Sequence, residues 1–371
     1  MQYTIDGRYV QDHFPGIGRY TYNLVDALAC IAPDEQFVVL HNPAFRNTRY
    51  DIAALARPRN LEIRNVDVPT FSLTEQYRLP RSIRASSPAL FHSPYYIKPY
   101  WMSVPSVVTI FDLIPLFVLD HSLRRRTRLL FRLTVLLAAR TSLRIIVPSA
   151  ATKEDLISTL GVPRDKIAII PLAADARFAP QTEAAHARVR EKYALPRDYV
   201  LSVGINKPHK NHNALIEAWK LIGSSTPLVI AGTWDARYAS VIDRRSSVVK
   251  FIPNIDDRDL PALYGGASVF VFPSLYEGFG LPPLEAMACG TPVVCSNAAS
   301  LPEVVGDAAI LVNPHHIDEI SAAIHRVLGD AALRDELRAK SIAQAAKFSW
   351  ERTAQETLGV YESVARKTGQ G

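Results

Sequence analysis

Cysteine is scarce. The 371 residues hold three, Cys30, Cys289 and Cys295, at spacings that fit neither a metal site nor a redox pair. A disulfide scaffold and a zinc module are excluded, leaving small buried hydrophobes in a reducing compartment. Long apolar runs are missing too: Leu133–Ala139 is cut short by Arg132 and Arg140, far below the ~20 residues a membrane span requires. The first residues, Met1–Asp6, resemble a strand carrying an acid rather than a secretion leader, so a soluble or peripheral protein is expected. No solenoid repeat or low-complexity tract occurs. A dinucleotide fingerprint is missing as well, because Gly16 and Gly18 would need a third glycine where Thr21 stands.

What is present is an ordinary globular composition, 48% hydrophobic and 21% charged, long enough for two domains with full cores. The charge is uneven. Residues 1–180 carry 22 Lys and Arg against 15 Asp and Glu, whereas residues 181–371 carry 20 against 21. The whole basic excess sits in the first half, which suits an anionic partner or surface and equally suits plain solubility.

Short apolar runs alternate with helical periodicity along the chain. Tyr3–Ile5, Phe37–Leu40, Leu61–Arg64, Leu90–His92, Val107–Phe111, Ile145–Val147 and Ile167–Ile170 read as strands of a parallel sheet. Between the first two, Asp12–Arg19 reads as a glycine-bearing loop and Tyr20–Ile31 as a helix. His92 and Asp112 fall at strand ends, the position that faces the ligand crevice in doubly wound sheets and also a common place for caps and turns. A helix beyond Ser122 crowds Arg124, Arg125, Arg126, Arg128 and Arg132 beside Leu129, Leu130, Phe131 and Leu133. Such a helix fits an anionic membrane surface, or packs with a solvated basic face. Pro171–Gln181 marks the domain boundary. A second doubly wound unit comes next, with strands over 199–203, 227–231, 248–252, 267–272, 292–295 and 309–312. Ser349 then caps an amphipathic tail helix. The fold class is α/β with two doubly wound domains, spanning 1–175 and 176–348, and then the segment 349–371.

The chemistry concentrates in Phe270–Pro292. A buried strand runs into Glu277, then Gly278, Phe279 and Gly280. A helix start at Leu281, Pro282 and Pro283 carries Glu285. A strand, a glycine turn and a helix N-terminus together form an anion site. Two carboxylates beside it suit a phosphate joined to a group rich in hydroxyls. After strand 199–203 comes a basic loop with Lys207, His209 and Lys210. In one parallel sheet both segments converge on the carboxyl edge, where lysine acts as a compact charge for phosphate.

The segment Y-E-G-F-G-L-P-P-L-E-A-M-A-C-G-T-P-V-V (276–294) resembles the signature of the family 4 retaining glycosyltransferases. The similarity extends to L-P-E-V-V-G-D-A-A-I-L-V-N-P (301–314), to the S-V-G…P-H-K-N segment and to G-I-G-R-Y-T-Y-N-L (16–24), so it covers nearly the whole chain. The resemblance implies two Rossmann-like domains facing each other across a cleft, the GT-B architecture. It implies a nucleotide-sugar donor and a saccharide or lipid-linked saccharide acceptor. A cytoplasmic protein with no nucleic-acid partner is expected, and a place at the inner membrane face would rest on the Arg124–Arg132 helix alone. It assigns Glu277 to the donor sugar and the reacting carbon, and Glu285 to the ribose hydroxyls. Phe279, Gly280 and Leu281 supply backbone amides, and Lys210 neutralises the diphosphate. Gly16 and Gly18 approach the phosphates and acceptor, and the tail helix crosses back onto the first domain.

Two features depart from the family pattern. His209 and Ile205 stand where an arginine is common, so Lys207 or protonated His209 would supply the second cation; Phe111 stands where a histidine often precedes Asp112. No D-x-D-like metal motif is suitably placed, since Asp256–Asp257 reads as a turn and helix start, so a metal-independent enzyme without cofactors is expected. The implied reaction is hexosyl transfer, mannose-like by preference, in cell-envelope or exopolysaccharide assembly. The alternatives are another GT-B activity, a phosphorylase or epimerase, and a silent sugar-nucleotide-binding subunit.

Overall fold

A computed structural model describes residues 1–118, 125–241, 249–253 and 255–369. The chain forms two compact units. The first contains Met1–Leu113, Arg124–Leu172 and the tail from Ser349; the second contains Ala173–Phe348 and the short helix Ile114–Phe117.

Every strand pairing in both units is parallel. The first sheet contains β1 (Gln2–Asp6), β2 (Gln36–His41), β3 (Leu61–Asn65), β4 (Leu90–Ser93), β5 (Ser106–Thr109), β6 (Arg144–Val147) and β7 (Ile167–Ile169), in the order β3-β2-β1-β4-β5-β6-β7. The second contains β8 (Val200–Val203), β9 (Leu228–Gly232), β10 (Val249–Pro253), β11 (Val269–Phe272), β12 (Val293–Ser296) and β13 (Ala309–Val312), in the order β10-β9-β8-β11-β12-β13. The order reverses between β1 and β4 and again between β8 and β11. Those reversals are the switch points at which doubly wound sheets open a crevice beyond the carboxyl ends of the strands. The strand sequences explain the architecture: β11 reads Val-Phe-Val-Phe and all four residues are buried, as a strand covered on both faces must be. In the second unit one apolar cluster packs around Phe270, Phe272, Tyr264 and Met287, and another around Val269, Val271, Trp219 and Ile324. Alternate residues of β11 therefore serve opposite layers.

Several elements differ from the sequence reading. The expected glycine loop is the first turn of helix Pro15–Ile31. Proline pre-sets that helix start, and Gly18 permits a close approach, because a Cβ there would lie 3.0 Å from the Tyr9 carbonyl oxygen. Helix Arg78–Arg84 lies where no element was expected. So does helix Ala331–Ala345, with Asp330 as its N-cap accepting from the Leu333 amide at 3.0 Å. The tail helix Trp350–Lys367 packs on the first unit. Ser349 caps it by accepting from the Arg352 amide, and the Thr353 hydroxyl donates to the Pro171 carbonyl at 2.8 Å.

One buried group makes stability depend on pH. Lys98 is fully buried, and its Nζ donates to Ser106 Oγ at 2.7 Å. Burial, and then the nearby Lys166 charge, push its pKa down to about 7 from 10.5. Between those values the unfolded chain holds a proton that the folded chain does not, so folding becomes more favourable as pH rises through that window. Lys98→Met is expected to raise Tm most at pH 7 and below, with the advantage shrinking toward pH 10.5. Paired melts across that range check it; a constant difference would show that Lys98 does not titrate as described.

Candidate active site

β8 and β11 lie side by side, with Val269 opposite Val200 and Phe270 opposite Leu201. The loops leaving their carboxyl ends are therefore neighbours at the switch point. After β8 the chain passes Gly204 and forms a short 3-10 turn, Pro208–Lys210. Asn211 then adopts a left-handed backbone at φ 56° before helix His212–Ile222, and its side chain donates to the Pro314 carbonyl at 2.7 Å. That pinned turn aims Lys210 back across the sheet edge. Lys210 Nζ lies 2.7 Å from Glu277 Oε1 and 4.8 Å from the centre of the Phe272 ring. The two loops are also stitched through their backbones, since the Leu275 amide donates to the His209 carbonyl at 2.7 Å.

Glu277 is 9% exposed, and its electrostatics come from this placement. Burial alone would raise its pKa, but the Lys210 ammonium and the His209 charge outweigh it and hold the carboxyl below its ordinary value. The site therefore holds a fixed anion and a fixed cation in contact. His212, at the start of the next helix, is pushed the other way. Burial, then Lys210 and His209, lower it to about 3, so it stays neutral, and its Nδ1 has no hydrogen-bond partner among the described residues. His212 also lines a shallow, open hollow with Gly204, Asn206, Trp234 and Phe251.

Beyond Glu277 the turn is held rigidly. Ser300 Oγ lies 2.8 Å from both the Glu277 and the Phe279 carbonyl oxygens. Gly280 has φ 120°, and a Cβ there would come within 2.7 Å of the Leu301 side chain, so glycine is required on both counts. Helix Leu281–Ala288 comes next, with prolines at its second and third positions. Proline has no N–H, so this first turn has fewer amide donors than an ordinary helix start. The anion-seeking donors narrow to the amides of Leu281 and the glycine turn. Glu285 on this helix is 2% exposed, and its Oε2 accepts from the Tyr264 hydroxyl at 3.1 Å.

Lys207, His209, Lys210, Glu277, Gly278, Phe279, Gly280, Leu281 and Glu285 are thus brought to one edge of the second unit. Tyr264, Phe272 and Ser300 complete this arrangement and were missed by sequence reasoning. The Ser300–Glu303 spacing is the one available signal, a helix-start pattern that gives no hint of reaching back to Glu277.

The expected residues of the first unit divide differently. His92 is a correction. It is fully buried, with Nδ1 2.6 Å from the Tyr361 hydroxyl and Nε2 2.8 Å from Thr109 Oγ1. Burial lowers its pKa to about 3. Tyr20 extends the chain by placing its hydroxyl 2.9 Å from Thr109 Oγ1. His92 is thus a satisfied core histidine that fastens the tail helix to β4. Phe111 packs edge-on against Tyr20 at 5.1 Å, an apolar filling where a histidine was expected. Asp112 is half-buried near Tyr95 and Tyr96, whose pKa values its charge helps raise after burial itself. Gly16, by contrast, borders open space.

Comparison with known proteins agrees with this geometry. The description of Glycosyl transferases group 1 matches residues 186–348, and that of Glycosyltransferase Family 4 matches residues 15–178. The chain is 34% identical to O-antigen chain mannosyltransferase B of Escherichia coli, covering 94% of this chain and 96% of that protein. It is 34% identical to the serotype-specific mannosyltransferase WbdA of Escherichia coli over 69% of this chain, which spans 34% of that longer protein. Among solved structures, sucrose-phosphate synthase from Thermosynechococcus elongatus superposes with a TM-score of 0.77 at 21% identity, covering 98% of this chain and 99% of that one. Anabaena HepE in complex with UDP and glucose superposes with a TM-score of 0.74 at 19% identity, covering 98% of this chain and 100% of that one. The fold is GT-B, and the chain belongs to the family 4 glycosyltransferases.

Proposed function

We propose that the protein transfers a hexosyl unit, mannosyl by preference, from a nucleoside-diphosphate sugar to a saccharide or lipid-linked saccharide. The reaction proceeds with retention and serves surface polysaccharide assembly. The observation that carries this reading is the Lys210–Glu277 pair at the β8/β11 switch point, beside the Gly280–Leu281 turn. Departure of the diphosphate builds negative charge on its β-phosphate and positive charge on the anomeric carbon. Lys210, a second cation from Lys207 or His209, and the amides of Phe279, Gly280 and Leu281 face the first charge. The ionised Glu277 faces the second. Glu285, held by Tyr264, takes the ribose hydroxyls, and the hollow at Trp234 and His212 is a recess for the base. The glycines of helix Pro15–Ile31 and Asp112 belong to the phosphate and acceptor side. The mannosyl preference rests on the two Escherichia coli relatives. Glu277 is engaged by Lys210 and Glu285 by Tyr264, which argues against the double-displacement chemistry of retaining glycosidases, whose paired carboxylates lie about 5 Å apart. Same-face attack, with the diphosphate taking the acceptor proton, fits this site better.

The same reading needs no metal, with Lys210 as the cation that would face the diphosphate. Asp257, for its part, is ion-paired with Arg177. Purified protein offered GDP-mannose, UDP-glucose and other nucleotide sugars is expected to show a raised Tm and transfer with its preferred donor, with or without EDTA. Ligand at about 100 times its dissociation constant stabilises by roughly 2.7 kcal/mol. Turnover with free sugar 1-phosphate alone would establish a phosphorylase instead, and activity lost in EDTA and restored by magnesium would overturn metal independence.

Helix Arg125–Thr141 supports peripheral contact with an anionic membrane at its cytoplasmic face. Leu129 and Leu130 are 58% and 61% exposed beside exposed Arg125, Arg126 and Arg132. Arg124 and Ser122 lie outside the described residues. No helix among the described residues is long and apolar enough to cross a membrane.

A further inference from the structure

A separate surface of the first unit exposes apolar side chains more fully than that helix does. Leu73 is 87% exposed, Trp101 71% and Tyr77 54%. They come from two segments that are clamped together. Gln76 Nε2 donates to the Lys98 carbonyl at 2.9 Å, and the Tyr100 amide donates to Gln76 Oε1 at 3.0 Å. Between Leu73 and Tyr77, Glu75 points inward and is fully buried against Arg8 at 2.5 Å. The apolar side chains therefore project from an anchored turn.

Directly after Tyr77, helix Arg78–Arg84 buries Leu79, Pro80 and Ile83 and turns Arg78, Arg81 and Arg84 to solvent. Spacing of three residues places these arginines along one side. None of the three has an ion-pair partner among the described residues. The surface thus combines an indole, a phenol and a leucine with a row of guanidinium groups that no described residue neutralises.

We propose that this surface, Leu73, Tyr77 and Trp101 with Arg78, Arg81 and Arg84, docks the protein on a bilayer carrying anionic headgroups. Aromatic rings with one polar edge settle at the headgroup level, leucine reaches the acyl boundary, and arginines pair with lipid phosphates. A nucleic acid would meet the arginines and leave Leu73 and Trp101 in water. Charge complementarity and apolar exposure together therefore select the lipid surface. The proposal rests on the same reading of a membrane-facing enzyme as helix Arg125–Thr141 does, yet it concerns different residues, and a lipid-linked acceptor would be delivered to the same unit.

The test uses the full chain with vesicles of phosphatidylcholine, alone or mixed with phosphatidylglycerol. Wild type is expected to co-sediment with the mixed vesicles and to show a blue shift of Trp101 emission. Leu73→Ser/Tyr77→Ser/Trp101→Ser and, separately, Arg78→Ala/Arg81→Ala/Arg84→Ala are each expected to weaken binding at least roughly tenfold. Circular dichroism melts confirm that the variants fold. Transfer to a water-soluble acceptor should stay unchanged, which separates this proposal from the catalytic reading; absence of turnover in wild type would count against that reading alone. Binding unchanged in both variants but lost in Arg125→Ala/Arg126→Ala/Arg132→Ala would overturn the proposal. So would concentration-dependent self-association in wild type that the Leu73/Tyr77/Trp101 variant abolishes, since the surface would then be an interface between copies of the chain.

Discussion

Lys210→Met is expected to lower kcat by at least roughly 100-fold, the scale on which one pre-aligned donor to a developing anion counts. It should also destabilise the protein by up to about 3 kcal/mol, because it strands a buried carboxylate. The two effects have one origin and can be separated. Glu277 sits 2.7 Å from Lys210 and is nearly enclosed, so removing its cation leaves desolvation opposed only by the His209 charge and the Ser274 hydrogen bond. Glu277→Gln is the milder lesion for folding, since the amide keeps the shape and still faces the ammonium. Combining Lys210→Met with Glu277→Gln removes both charges and should recover most of the lost stability while leaving the protein inactive. Urea unfolding and donor turnover on the four proteins check this. A double variant no more stable than Lys210→Met would show that the pair is not what holds the two loops, and a Lys210→Met protein near wild-type turnover would remove lysine from the chemistry. The pH dependence has a definite sign. Glu277 has a folded pKa below its ordinary 4.5, so the stability that it contributes is present above that value and is lost as pH falls through the lower one. The gap between wild type and Glu277→Gln should persist down to pH 4.5 and close only below it.

Much of the site is legible in the sequence because its residues are local to two loops and the sheet is parallel. An apolar run such as Val269–Phe272 places the loop after it at the carboxyl edge, so topology alone brings Glu277 and Lys210 together. The family resemblance then supplies their roles. Contacts between distant segments leave no such trace. Tyr264 reaches Glu285 from another helix, and Ser300 reaches back to the Glu277 carbonyl. His92 illustrates the converse error. Its place at the end of a strand suggests a ligand crevice, but Tyr361, 269 residues later, closes over it. The start of helix Pro15–Ile31 is hidden because two glycines argue against a helix, whereas Gly18 serves packing against Tyr9. Helix Ala331–Ala345 gives a weak signal, since many of its residues are exposed and its apolar stripe is thin.

Arg8→Met should be the most damaging single change in the first unit, costing about 3–5 kcal/mol at neutral pH. Arg8 is 1% exposed, and Asp6 and Glu75 are fully buried. Its Nε and Nη2 lie 2.8 and 2.7 Å from the two Asp6 carboxylate oxygens, and Nη2 lies 2.5 Å from Glu75 Oε1. Nη1 also donates to the Val68 carbonyl at 3.2 Å. One guanidinium thus serves two carboxylates and a backbone segment. Even so, burial outweighs Arg8 at Glu75 and raises that carboxyl above its ordinary 4.5. Without Arg8 the Glu75 carboxyl should rise further in the folded state. A raised carboxyl favours folding below its unfolded value, and that advantage is lost as pH increases through the folded one. The Arg8→Met deficit should therefore be deepest at neutral and higher pH and shrink as pH approaches 4.5. Asp6→Asn/Arg8→Met/Glu75→Gln, which leaves no buried charge, should regain much of the loss. Denaturant unfolding at several pH values checks both statements; a deficit independent of pH would mean that Arg8 acts by packing rather than by charge. Glu75 also anchors the turn that carries Leu73 and Tyr77. Arg8→Met should therefore weaken vesicle binding under conditions where the protein remains folded, whereas the charge-free triple variant should weaken it less.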